Sequence, residues 1–139
     1  MKKQHILSII YNFLLCGLLG WCFECFWTGM NSLFEKDRKL TCHSSLWMFP
    51  IYGLACIFKP LHRFFSKSSM FLRGTIYTVL VFCIEFTSGL LLKAKNACPW
   101  DYSKAKTNIK GVIRLDYAPA WFIMGLIYDT ILDHLPKNK

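Results

Sequence analysis

Charged residues in this chain fall between long apolar blocks, hardly ever inside them. Hydrophobic residues fill 54% of the 139 positions although the net charge is +9. A soluble domain of that balance scatters its apolar residues at helix or strand periods. Runs of about 20 apolar residues are instead what a backbone needs to cross hydrocarbon with its own hydrogen bonds satisfied. Four blocks stand out: Ile6 to Met30, Ser44 to Phe58, Gly74 to Leu92 and Ala118 to Leu135. The pattern predicts an all-α polytopic membrane protein, a single four-helix transmembrane domain over residues 1–139. The second block is short and carries Pro50 and Gly53, so that span is expected to be short or broken at Pro50–Gly53. "MKKQHILSII" reads as the start of a retained span, because its apolar run is too long for a cleaved signal and no small-x-small site follows.

Two carboxylates interrupt the blocks. Glu24 sits in "GWCFECFWTGM" and Glu85 in "VFCIEFTSGLL". A carboxylate at mid-bilayer costs about 2.5–3.5 kcal/mol on insertion scales, so it must face protein, find a donor or stay protonated. Helix geometry puts Gly17, Gly20, Trp21 and Thr28 on the face of Glu24, and Gly74, Thr78, Ser88 and Gly89 on that of Glu85. Small and hydroxyl residues let helices approach and supply hydrogen bonds. Both acids are therefore expected to face inward, toward a polar pocket that Asp101, Asn108 and Arg114 approach from one side. In the fourth block Trp121, Gly125 and Asp129 line up at i, i+4 and i+8, but Asp129 and Asp133 read as solvated charges at a span end beside Lys137. The bland alternative is that the two glutamates are interhelical glue.

Other chemistry is not visible. There is no G-x-x-x-x-G-K-[ST] phosphate loop, no H-E-x-x-H and no G-x-S-x-G. His5, His43, His62 and His134 lie far apart, so neither a metal site nor a cofactor is expected. Seven cysteines make no even disulfide set. Cys42 and Cys98 fall in loops on one expected side and could pair there; two free thiols is the simpler expectation. Cys22 and Cys25 share a helix face without the strand–helix context of a redox motif. Of the 17 lysines and arginines, eight fall on the N-terminal side and nine opposite, nearly a tie. The short, wholly basic loop "KPLHRFFSKSSMFLR" tips the expectation toward a cytoplasmic N-terminus. Positive charge on both faces suits anionic lipid, not nucleic acid.

The segment 94–116 is the richest outside the blocks. Pro99 is expected to stop the preceding helix, and Trp100 and Tyr102 suit the headgroup layer. From Asn108 to Tyr117 the apolar residues recur at period two, with Val112 an exception, which predicts an extended stretch on the membrane surface. A faint internal repeat, a Glu-and-Gly span followed by an aromatic span in each half, suggests a parallel two-helix repeat.

"LWMFPIYG", "IYTVLVFCIEFTSGLLLK", "NACPWDYS" and "GVIRLDYAPAWF" together resemble the transmembrane protein 229 family, within the wider putative ABC-transporter type IV group. The resemblance runs over roughly residues 11–129. It implies four membrane helices and places family positions at Gly20, Trp21, Glu24, Tyr52 and Gly53. Further ones fall at Glu85 and Thr87, at Trp100, Asp101, Tyr102 and Ser103, and at Gly111, Leu115 and Trp121. The first loop, "NSLFEKDRKLTCH", departs from the family pattern, so any role for Cys42 is specific to this chain.

Together these features point to a permease-like or permease-associated component. Glu24 and Glu85 would bind a cation, a proton or a polar substrate group, and the "WDYS" loop would cap them. Four short helices enclose little volume, so a homo-oligomer, a larger membrane complex or a separate ATPase partner is expected. A membrane-embedded enzyme acting on a lipid, or a non-catalytic scaffold, stays open as the alternative.

Overall fold

The computed structural model describes residues 2–135. Helix α1 runs over Lys2–Phe34 and α2 over Met48–Gly53, followed by a 3₁₀ turn at Leu54–Ile57 and α3 at Phe58–Phe65. Helix α4 covers Met70–Ala94. Two short strands, β1 (Asn108–Ile109) and β2 (Ile113–Arg114), and a 3₁₀ turn at Leu115–Tyr117 lead into α5, Ala118–His134. The chain gathers into two compact units that meet in sequence between Cys56 and Ile57.

Two helices are long and apolar enough to cross a membrane, Lys3–Phe34 and Met70–Ala94. Only 22% of the most apolar window of each is buried, so neither is the core helix of a soluble protein. Their exposed faces carry Ile6, Ile10, Leu14 and Leu18 in α1, and Phe71, Val79 and Leu91 in α4. The other two blocks form shorter helices. Helix α5 has 17 residues, about 26 Å at the helical rise against a hydrocarbon core of about 30 Å.

The second block is broken, slightly later than expected. Pro50 is the third residue of α2, where an amide has no intrahelical partner, so it opens the helix and does not break it. The break comes at Leu54, whose N–H is shared between Pro50 O and Ile51 O as the coil tightens to 3₁₀. Part of the expected basic loop is likewise helical, since it contains α3. Ser69 starts α4 four residues before Gly74, its hydroxyl oxygen accepting the Leu72 N–H at 3.2 Å.

Both long helices end in the same way. Lys36 (φ 61°) and Asn96 (φ 53°) take the left-handed conformation just past the ends of α1 and α4. Asp37 N–H then reaches back to Ser32 O at 2.9 Å, and Ala97 N–H to Leu92 O at 2.9 Å. Asn96 therefore ends α4 three residues before Pro99, the expected stop.

In the first unit α2 packs on the glycine face of α1. A Cβ on Gly17 would stand 2.9 Å from Phe49 O, and one on Gly20 would strike the Tyr52 ring. Trp21 meets Phe49 edge-on at 5.1 Å. In the second unit Phe58 of α3 stacks on Tyr77 of α4 at 4.6 Å and meets Tyr128 of α5 at 6.3 Å. Tyr77, Phe58, Leu132 and Val112 are fully buried there.

The stretch from Asn108 is extended only in part. Asn108 pairs with Arg114 and Ile109 with Ile113, antiparallel, and the chain reverses through Lys110 (φ 52°) and Gly111 (φ 66°). A hairpin folds the period-two face onto itself: Val112 and Ile113 are both buried, whereas Ile109 and Leu115 are exposed. Residues 115–117 turn into 3₁₀.

Candidate functional site

Glu24 is half-buried on α1. Its Oε2 accepts the Ser44 hydroxyl at 2.6 Å, and the Tyr52 side chain also binds the carboxylate. One turn earlier, Trp21 Nε1 donates to Ser45 O at 2.9 Å. Three expected site residues, Trp21, Glu24 and Tyr52, therefore meet in the first unit. Ser44, which the sequence did not single out, completes them.

Glu85 lies in the second unit, 6% exposed on α4. Trp121 of α5 is its polar neighbour. Yet Glu85 Oε2 and Trp121 Nε1 are both buried without a hydrogen-bond partner. One turn further along α4, Gly89 leaves room for Trp100 and Val112, which would stand 3.2 and 2.8 Å from a Cβ placed there. Trp100 Nε1 donates to Val112 O at 2.9 Å, so the "WDYS" segment is fastened to the hairpin and both lie on α4 just beyond Glu85.

The loop's own polar residues are engaged with one another. Asp101 accepts from Ser103 N–H and Oγ–H at 3.1 and 2.5 Å and lies 3.6 Å from Lys93 Nζ. Those Ser103 bonds, helped by Lys93, hold its carboxyl below the ordinary aspartate range. Asn108 donates to Ser103 O and Ala105 O and accepts from Gly111 N–H. Arg114 holds Asp116 at 2.7 Å and lies over the Tyr117 ring. Tyr102 and Tyr117 meet in a T-shaped contact at 5.8 Å, and the Tyr102 N–H donates to Gly111 O at 2.9 Å.

A third polar centre was missed. Asp129 is 3% exposed, not a solvated end-of-span charge. Its Oδ1 accepts the Tyr77 hydroxyl at 2.5 Å and lies 2.7 Å from His62 Nδ1. Arg73 Nε stands 3.8 Å from Oδ2 and has no hydrogen-bond partner. His62 Nε2 is 3.6 Å from Asp133, so the imidazole lies between two carboxylates one turn apart on α5. Three helices thus converge on one buried acid. The alignment of Trp121, Gly125 and Asp129 was its only sequence signal: Gly125 brings Tyr77 Cβ within 2.6 Å of a Cβ position, which carries the phenol to Asp129. Nothing in the sequence linked His62, 67 residues away.

All seven cysteines are free thiols, Cys42 and Cys98 included. Among the described residues no group of three His, Cys, Asp or Glu side chains is placed to hold a metal ion. No solved structure matches the chain. Residues 11–138 match the family described as "Putative ABC-transporter type IV". That match takes in α1 from residue 11, all of the second apolar helix and every polar centre above, and the chain belongs to this transporter-type membrane family.

Proposed function

We propose that this protein is a permease-like or permease-associated membrane component in which Glu85 binds a proton, a cation or a polar group of the transported solute. The observation that carries this reading is the Glu85 carboxylate, 6% exposed on α4, with the neutral Trp121 indole beside it and no well-formed hydrogen bond on Oε2. An ionised carboxylate in that position costs several kcal/mol unless a ligand or proton compensates it. Trp100 and Val112 cover the next turn of α4 and limit access from that end. Glu24, with Ser44 and Tyr52 as partners, is a second polar site, within the first unit.

In this reading the broken α2–α3 segment and α5 also lie at membrane depth, giving the four-helix, multi-pass topology with a cytoplasmic N-terminus. The chain carries no phosphate-binding loop. An ATP-driven cycle therefore takes a separate ATPase subunit, and copies of this chain or other membrane subunits enclose the path. The resemblance of the "CPWDYS" segment after "EFTSG" supports membership of the transmembrane protein 229 branch.

The test is flux into liposomes loaded with a pH-sensitive dye, with sodium and potassium gradients as further probes. Wild-type protein is expected to carry one of these, and Glu85→Gln to lose it while inserting and folding normally. Equal flux from the Gln variant would overturn the assignment of Glu85. Turnover of the liposome lipid without flux would replace the transport reading with a lipid enzyme.

A further inference from the structure

Between α1 and α2 the chain does not wander. Residues 40–45 run back along α1 as a strap whose register is set contact by contact. Ser32 Oγ donates to Thr41 O at 2.6 Å. Thr28 Oγ1 accepts His43 N–H at 3.0 Å and lies 3.2 Å from His43 O. Ser44 reaches Glu24, and Ser45 O takes the Trp21 indole N–H. Cys42 must then lie between the turns of Ser32 and Thr28, and it does: its Cβ is 3.7 Å from where a Cβ on Gly29 would stand. Because Gly29 has no side chain, nothing there separates Cys42 from Cys25, one turn earlier on the same stripe of α1. The Cys25 thiol faces the Cys42 thiol.

We propose that Cys25 and Cys42 form a reversible disulfide that fastens the strap to α1. Disulfides need Cβ atoms about 3.5–4.5 Å apart and sulfurs free to turn toward each other. Neighbouring residues bonded on either side of Cys42 hold it in place for this. Cys42 is exposed and Cys25 is half-buried beneath the strap, which sets the order of reaction. The Cys42 thiolate attacks a low-molecular-weight disulfide such as oxidised glutathione, forming a mixed disulfide and releasing one glutathione thiolate. The Cys25 thiolate then attacks the Cys42 sulfur and expels the second glutathione. Two protein thiols are oxidised, one small disulfide is reduced to two thiols, and two protons leave the protein. Ser44 is two residues from Cys42, so the oxidised clip also holds the donor of Glu24 in place.

The full-length protein in detergent is equilibrated with reduced and oxidised glutathione, alkylated, digested and analysed by mass spectrometry. A Cys25–Cys42 linked peptide is expected in wild type and in Cys22→Ser, and it should vanish on reduction. Tryptic cleavage at Lys36, Arg38 and Lys39 should slow by about tenfold on oxidation, since the loop loses its local opening, and Cys25→Ser should abolish that slowing. A Cys22–Cys42 peptide in its place, or Cys42 carrying glutathione alone at every ratio, would overturn the proposal.

Discussion

Tyr77 on α4 donates its hydroxyl proton to Asp129 on α5 at 2.5 Å, 52 residues apart in sequence. The Asp129 oxygen that accepts it also faces His62. Removing one partner of a buried acid leaves the others to compensate, whereas removing the acid strands them all. Tyr77→Phe is therefore expected to cost about 1–3 kcal/mol, and Asp129→Leu more, since Tyr77 and His62 then lose their shared acceptor and Arg73 its counter-charge. Unfolding in mixed micelles of Tyr77→Phe, Asp129→Asn and the double variant should give a coupling of about 0.5–3 kcal/mol. Additive effects would show that the contact is energetically idle.

Glycines in α1 should separate into two classes. A methyl group at Gly20 meets the Tyr52 ring and at Gly17 the Phe49 carbonyl, so Gly20→Ala should cost about 1–3 kcal/mol and loosen α2 from α1. A methyl group at Gly29 would make only ordinary van der Waals contact, 3.5 Å from Leu40 O and 3.7 Å from Cys42 Cβ. Gly29→Ala should be neutral or gain up to about 1 kcal/mol from helix propensity. Thermal unfolding of the two variants side by side checks the ranking.

The same contrast explains what could be read in advance. The start of α5 at Ala118 and the glycine faces of α1 and α4 were legible because hydropathy and helical spacing report them directly. Arg73 was not. It sits in a basic run that reads as solvent-facing, yet it turns toward Asp129, a pairing that depends on α4 and α5 meeting. The hairpin was half legible: Val112 broke the alternation because Gly111 reverses the chain one residue earlier. Glu85 was expected to be buried, but which group it meets depends on where Trp121 points, and periodicity carries no such information.

Lys36 is left-handed at φ 61° where α1 ends, a conformation in which a Cβ is a liability. Its side chain is exposed, so little is lost by removing it. Lys36→Gly should raise stability by about 0.5–1 kcal/mol. A fall in the unfolding midpoint would mean that the lysine side chain contributes more than its backbone strain costs.

The loop after α4 should respond to acid late. Arg114, helped by Thr107, holds the Asp116 carboxyl at about 2, against an ordinary 3.8. A depressed folded value means that the ion pair's contribution is complete above 3.8 and is lost as pH falls toward 2. Tryptophan fluorescence or near-ultraviolet dichroism should therefore stay flat from neutral pH to about 4 and change below it. Asp116→Asn should remove that late transition; an unaltered curve would assign it elsewhere.

Apart from Ser44, the strap along α1 is gripped by its main chain: Trp21, Thr28 and Ser32 engage the carbonyls of residues 45, 43 and 41 and the amide of His43. The docking address is thus written in the helix and not in the loop it receives. Residues 41, 43 and 45 can exchange their side chains and still dock on α1 in the same place, losing only the local bonds of Thr41 to Asp37 and of Ser45 to Trp47 N–H, with proline at 43 the exception because it lacks the amide that Thr28 takes. A randomised library across both segments should accordingly tolerate wide variety in the loop and almost none at Thr28 and Ser32.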